Sequence, residues 1–240
     1  MTHTLQCRFA HTALAKGATT LSDTLLVFLP GAFLQPEEFE RQGIIAAVKE
    51  RNLAVDALLV DANVAFYYDQ SFVERLHLDV IRPQREAGYK SIWLVGVSIG
   101  GFGALIHELA YPGAVDGIVT IAPYLGRRPI AAAIQAAGGL RSWQVPEGPP
   151  PDQEVDRKLW PLLKRYTQAD ASSGLPPVYL GYGLDDRFAS NHRVLADALP
   201  EGRVFTTPGG HAWPQWSQLW REVLEVLPLP MAEKAAAATV

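Results

Sequence analysis

Short, continuous apolar runs recur along this chain, each followed by a longer stretch of helical periodicity. The runs are Thr24–Leu29, Ala54–Val60, Ser91–Val97, Gly117–Ile121, Val178–Tyr182 and Arg203–Thr207. A strand with one wet face alternates apolar and polar residues. These runs do not alternate, so both of their faces must be covered. The stretches between them supply the cover: Pro36–Arg51, Ser71–Ala87 interrupted by Pro83, Ile99–Ala110, Ala189–Leu199 and Pro214–Leu227. Strand–helix alternation of this kind builds an α/β fold, a mostly parallel central sheet flanked by helices.

At 240 residues the chain fits one core. Residues 1–227 are expected to form a single domain, with 228–240 as a loose tail. Two regions break the rhythm. Residues 1–23 are polar and have room for one or two edge strands. Residues 125–175 hold Gly138-Gly139 and Pro149-Pro150-Pro151, yet also Leu140, Trp143, Leu159, Trp160, Leu162, Leu163 and Tyr166. That is too much large apolar surface for a solvated loop. The expectation is an insertion that packs over the carboxyl ends of the strands as a small helical cap.

The charge balance narrows the partners. Twenty-one basic against 25 acidic side chains give a net charge of −4, which argues against a basic nucleic-acid binder or a polybasic membrane-surface protein. One cysteine, Cys7, forms neither an intrachain disulfide nor a cysteine-based zinc site alone. No stretch reaches the ~18–20 apolar residues of a membrane helix, and the first residues lack the layout of a secretion signal. A cytoplasmic protein with a small-molecule partner is expected. Asp61, Asp69, His77 and Asp79 are scattered without ligand spacing, so neither metal nor cofactor is expected.

Gly96-Val97-Ser98-Ile99-Gly100 carries the sharpest chemical signal. It closes the run Ser91–Val97 and opens a helical stretch, the context in which G-x-S-x-G exposes a serine on a tight strand-to-helix turn. Glycine two before and two after lets neighbouring backbone come close. The helix start aims N–H groups at a developing oxyanion. A serine nucleophile needs a base and an orienting acid further along the chain. His211, in Pro208-Gly209-Gly210-His211-Ala212-Trp213 after the last run, is the candidate base. His3 and His11 precede the sheet, and His77 and His107 sit within helical stretches. His192 follows Ser98 in order but falls just beyond the acid loop. That loop, Gly183-Leu184-Asp185-Asp186-Arg187-Phe188, offers two carboxylates. Asp186 is preferred as the orienter, and Asp185 would then cap a turn. Leu29-Pro30-Gly31-Ala32-Phe33 ends the first run, where the N–H of Ala32 could join that of Ile99 in an oxyanion hole, with Phe33 as the alternative donor.

Taken in order, Pro30-Gly31-Ala32, Gly96–Gly100, Gly183–Asp186 and Gly210-His211 resemble the motifs of esterase-like serine hydrolases of the α/β-hydrolase fold. The resemblance spans residues 24–227. Gly209–Trp213 is also similar to the histidine loop of esterase D-type enzymes, while Pro30-Gly31 stands where the family commonly has His-Gly. The resemblance implies Ser98 as nucleophile, His211 as base, Asp186 as acid and no cofactor. A serine rather than an aspartate at the elbow argues against dehalogenases and epoxide hydrolases.

Aromatic residues gather at the same strand ends: Phe33, Phe66-Tyr67-Tyr68, Tyr124 and Trp213. Ligands of open α/β sheets bind there, so Phe33, Tyr67, Tyr68, Tyr124 and Trp213 are candidate pocket residues; they could equally pack the insertion onto the sheet. The expected reaction is hydrolysis of a small or aromatic carboxylic ester through an acyl-enzyme. A thioester or an amide could be cleaved by the same groups, and a binding protein on the same scaffold is a further alternative.

Overall fold

The computed structural model describes residues 4–10, 22–62, 65–68, 70–148, 155–168 and 173–232, with the side chains of Tyr68, Val155 and Asp156 also outside that description. In chain order the elements are β1 (Gln6–Ala10), β2 (Thr24–Leu29), α1 (Glu38–Arg41), α2 (Ile44–Glu50), β3 (Asp56–Asp61), α3 (Ala65–Tyr68) and α4 (Phe72–Arg75). A π-helical segment, Leu76–Ile81, leads into α5 (Arg82–Glu86). Then come β4 (Ser91–Val97), α6 (Ile99–Ala110), β5 (Gly117–Ile121), α7 (Arg128–Ala136), α8 (Val155–Arg165), β6 (Val178–Gly183), α9 (Ala189–Ala196), β7 (Val204–Thr207) and α10 (Trp213–Val226).

The strands make one seven-stranded sheet in the order β1-β3-β2-β4-β5-β6-β7. Only β1 runs antiparallel, pairing Gln6 with Asp61 and Ala10 with Ala57. It is the edge strand for which the polar N-terminal region has room. All other pairs are parallel, which requires crossover helices on the faces. Along β2, Leu25, Val27 and Leu29 enter the core on one face, while Leu26 and Phe28 enter the core on the other. Along β4, Ile92 and Leu94 split from Trp93, Val95 and Val97 in the same way. Burial on both faces is why these strands read as unbroken apolar runs.

One face is covered by α4–α6, α8 and α9, the other by α1, α2 and α10. The chain winds from β2 to β3 on one side, then crosses back to place β4 on the other side of β2. The crevice at the carboxyl ends of β2 and β4 is therefore the topological switch point, where open α/β sheets bind ligands.

Two sequence expectations come out differently, and a third, the interruption at Pro83, takes a definite form. The helix expected over Pro36–Arg51 is broken by Gly43, held at φ 77°, into α1 and α2. The stretch Ser71–Ala87 widens into a π-helical segment just before Pro83, whose ring crowds the carbonyl four residues back and which has no N–H to offer it. The expected loose tail is tied down in its first part. The N–H of Ala54 donates to the Pro230 carbonyl at 2.7 Å, and that of Ala232 to Asn52 at 2.8 Å, while residues 233–240 lie outside the described residues.

The insertion is helical, and its described large apolar groups are buried. However, α8 lies beside α6, and Leu159, Trp160, Leu162 and Leu163 join the core of that face. The Tyr166 hydroxyl donates to the Pro176 carbonyl at 3.2 Å, two residues before β6 begins. The chain must return from the carboxyl end of β5 to the amino end of β6, and α8 makes that crossover. Its apolar side packs beside α6 and joins the core of that face, while Lys158, near its start, lines a cavity with Phe66, Tyr67 and Phe102. In the same insertion α7 packs against α9, with Arg128 Nη2 donating to the Arg187 carbonyl at 2.7 Å beside the loop of Asp186.

Candidate active site

Ser98 sits between β4 and α6 at φ 54° and ψ −116°, a conformation non-glycine residues rarely adopt. Such backbone costs of order 1–3 kcal/mol and persists only where its surroundings force it. The surroundings here are backbone. A Cβ on Gly96 would lie 2.4 Å from the Gly100 carbonyl oxygen, and one on Gly100 would lie 2.2 Å from that of Leu29. Only glycine fits either position, so the spacing of the motif follows from the closeness of α6 to the ends of β4 and β2. The Ser98 N–H donates to the Ile121 carbonyl at 3.0 Å, and the Ser98 carbonyl accepts from Tyr124 N–H at 2.9 Å. The bonds run to the end of β5 and to the segment that follows it.

Three side chains from separate loops meet above this turn. Ser98 Oγ is 3.0 Å from His211 Nε2, and His211 Nδ1 is 2.7 Å from Asp186 Oδ2. The other carboxylate oxygen of Asp186 accepts the Phe188 N–H at 2.8 Å. Burial pushes the Asp186 pKa up, but the hydrogen bonds from His211 and Phe188 outweigh it and hold the carboxyl below its ordinary value. Asp186 thus remains an anion, and an anion accepts from Nδ1, leaving Nε2 as the lone-pair nitrogen toward the serine.

Asp185 does something else. Its Oδ2 accepts the Gly209 N–H at 3.1 Å, while its own N–H donates to the Gly209 carbonyl at 3.0 Å. A Cβ on Gly183 would lie 2.3 Å from that same carbonyl oxygen. The acid loop and the histidine loop are thereby locked together, with Asp185 as the tie between them.

Ala32 and Phe33 form the turn after β2, and Phe33 has φ 62° with 83% of its surface exposed. Gly31 brings this turn against the serine, since a Cβ there would stand 3.3 Å from Ser98 Cβ. Ile99 is the first residue of α6, where backbone N–H groups lack helical partners.

The candidate pocket aromatics divide. Tyr124 is central: its ring meets Phe102 edge-on at 5.6 Å and Phe188 at 5.6 Å. Phe188 in turn meets the His211 ring at 5.4 Å. Trp213 faces Phe39 and Trp216 and packs with the core beneath, and it is Trp216 whose ring lies 5.0 Å from His211. Tyr67 stacks on Phe72 at 4.2 Å and lines a cavity of about 370 Å³ along α6 with Phe66, Phe102 and Lys158. The Tyr68 side chain lies outside the described residues. Phe102, Phe188 and Trp216 escaped the sequence reading. Phe188 was marked only by its place two residues after the acid, and Trp216 only by lying one turn into the helix after His211.

Among the described residues, no three His, Cys, Asp or Glu side chains gather as metal ligands would, and no helix is long and apolar enough to cross a membrane.

The chain has the α/β-hydrolase fold. It aligns over 93% of its length with 97% of an S-formylglutathione hydrolase (FrmB) from Staphylococcus aureus, at a TM-score of 0.60 and 13% identity. It aligns over 92% with 94% of Est1E from Butyrivibrio proteoclasticus, a structure with ferulic acid bound, at a TM-score of 0.58 and 14% identity. A hydrolase from Thermoplasma acidophilum matches at a TM-score of 0.56 and 14% identity, covering 93% of this chain and 99% of that one. No protein-family model and no curated protein sequence matches the chain.

Proposed function

We propose that the chain is a serine hydrolase that cleaves small or aromatic carboxylic esters through an acyl-enzyme. The observation that carries this reading is the line from Ser98 Oγ through His211 to Asp186, at 3.0 and 2.7 Å, on a strained turn. Ser98 Oγ attacks the ester carbonyl carbon as its proton passes to His211 Nε2. Asp186 holds the tautomer and stabilises the imidazolium. The carbonyl π electrons move onto oxygen, and the N–H groups of Ile99 and Ala32 receive that charge. The tetrahedral species collapses, the C–O bond to the alcohol breaks, and His211 returns the proton to the departing oxygen. Water then attacks the acyl-Ser98 ester with His211 as base, releasing the carboxylic acid and the free serine.

Two things support an aromatic or short acyl group. The row Phe102, Tyr124, Phe188 leads edge to edge to His211. One structural neighbour has ferulic acid bound. The net charge of −4 and the single cysteine favour a cytoplasmic enzyme acting on a small molecule without cofactor, nucleic acid or membrane.

The test has two parts. A fluorophosphonate probe is expected to label the wild-type chain at Ser98 and to leave Ser98→Ala unlabelled. A panel of matched aryl esters, thioesters and aminoacyl amides then ranks the acyl donors by kcat/KM, with esters first. Absence of labelling would leave a binding protein on this scaffold, and thioesters first would move the activity to thioester hydrolysis.

A further inference from the structure

His192 is the histidine that competes with His211 on chain order, yet it is fully buried in α9. Its Nε2 lies 2.8 Å from the Pro123 carbonyl oxygen. A carbonyl only accepts, so Nε2 carries the proton and donates. Its Nδ1 is buried without a partner, and its ring stands 5.1 Å from that of Tyr182 and 6.5 Å from that of Phe188. Burial pushes its pKa down to about 4. Its hydrogen bond to Pro123 and the charge of Asp186 resist that, while His211 and Arg193 add to it. The side chain is therefore a neutral donor at ordinary pH.

What it holds is the segment that carries the nucleophile's backbone. Ile121 accepts from Ser98 N–H, and Tyr124 donates to the Ser98 carbonyl, so residues 121–124 clasp the elbow from both ends. Between them Ala122 has φ 48°, and its N–H is tied to the Gly181 carbonyl at 2.7 Å. Left-handed backbone is unfavourable for an alanine, so the segment must be held to stay there. Pro123 also abuts α6, where a Cβ on Gly101 would come 2.9 Å from Pro123 Cβ. One residue before His192, Asn191 Nδ2 donates to the Gly126 carbonyl at 3.0 Å. Meanwhile the first residue of α9, Ala189, donates its N–H to the Asp186 carbonyl at 2.9 Å. α9 thus grips the segment behind the serine with one side and the acid loop with its N-terminal end.

We propose that His192 is a positioning residue, whose N–H to the Pro123 carbonyl fixes the Ser98 backbone relative to the loop of Asp186. With the bond made, a closed ring runs from Ser98 through Pro123, His192 and Asp186 to His211 and back. Without it, the elbow is held to the acid loop by the β5–β6 pairing, the Asn191 bond to Gly126 and the reacting hydrogen bonds, with no side-chain tie to the Pro123 carbonyl. This inference rests on the hydrolase reading above.

A pair of variants isolates the bond. His192→Gln keeps an N–H the same number of bonds from Cβ as Nε2. His192→Met matches glutamine in length but has no donor. Both lose the ring equally, so their difference reads the hydrogen bond. The readouts are the second-order rate of labelling by a fluorophosphonate, and kcat and KM on the best aryl ester, all measured well below the thermal midpoints. His192→Met is expected to lose on the order of 10- to 100-fold in labelling rate and kcat, with KM within about threefold, as misplacement of reacting groups does. His192→Gln is expected to recover most of that loss. If the methionine variant does not fold, His192→Asn, whose amide is one carbon too short to reach Pro123, takes its place. Equal rates in the glutamine and donor-less variants overturn the inference, as does a loss confined to KM. If wild type itself is not labelled, the hydrolase reading fails instead.

Discussion

At the scale of single residues, the site separates two adjacent aspartates by what their neighbours donate. Asp186 accepts from the imidazole and from Phe188 N–H; Asp185 accepts from Gly209 N–H. Asp186→Asn puts an amide where an anion fixed the tautomer, and it is expected to lower kcat far more than Asp185→Asn, which retains a carbonyl oxygen for Gly209. Steady-state kinetics on one aryl ester compare the two, and a larger loss at Asp185 would give that residue the acid's role. Ser98→Ala is expected to fold normally and to lose on the order of 10³-fold or more in turnover. Relief of the φ 54° strain is slight, because alanine inherits the same backbone restriction. Residue identities at the centre were legible in the sequence because each sits at a position with a local steric signature, such as glycine at both flanks of Ser98. The rings of Phe188 and Trp216, which abut His211, were not legible. Whether Trp213 or Trp216 faces His211 depends on the helix phase of α10, and Trp213 was drawn off by Phe39.

At the scale of elements, strands were legible where both faces are covered. Thr24–Leu29, Ser91–Val97 and Gly117–Ile121 have the same limits in sequence and structure. The helix interruption at Pro83 was legible from its missing N–H, whereas the break at Gly43 was not, because it depends on one backbone angle. The placement of α8 escaped for a different reason: apolar content says that a segment is buried, not against what. α7 and α9, joined by Arg128 to the Arg187 carbonyl and by Gln135 to the Ser190 carbonyl, form a wall that carries Phe188 at the start of α9. That wall is close to the aromatic row, so kcat/KM is expected to fall along a p-nitrophenyl series from acetyl to palmitoyl. A steady rise toward palmitoyl would mean an open apolar groove and would remove the size limit from the proposed substrate.

At the scale of the whole molecule, acid sensitivity follows from which ionisable groups the two helical layers bury. His107, within α6, is fully buried with both ring nitrogens unpartnered, and burial pushes its pKa from 6.5 to about 3. His192, in α9, is likewise lowered to about 4. A depressed histidine is neutral when folded and takes up a proton on unfolding. Stability is therefore lost as pH falls from 6.5 toward the folded value, at about 1.4 kcal/mol per pH unit for each proton. Glu108, beside His107, acts in the opposite sense. Burial raises its pKa from 4.5 to about 7, against the Gly113 N–H and Arg165, so it holds a proton when folded and releases it on unfolding between those values. It thereby gains stability as pH falls from 7 to 4.5 and offsets one histidine there. Below 4.5 the offset ends and the histidines act unopposed. The unfolding free energy from urea titrations is thus expected to decline gently from pH 6.5 to 4.5 and more steeply just below. Glu108→Gln, which can still accept from Gly113, should make the upper part of that curve as steep as the lower. His107→Leu should flatten both parts, since it removes one of the two protons taken up. A stability curve level from pH 6.5 to 4, or one that Glu108→Gln leaves unchanged, would mean that these groups do not set the molecule's response to acid.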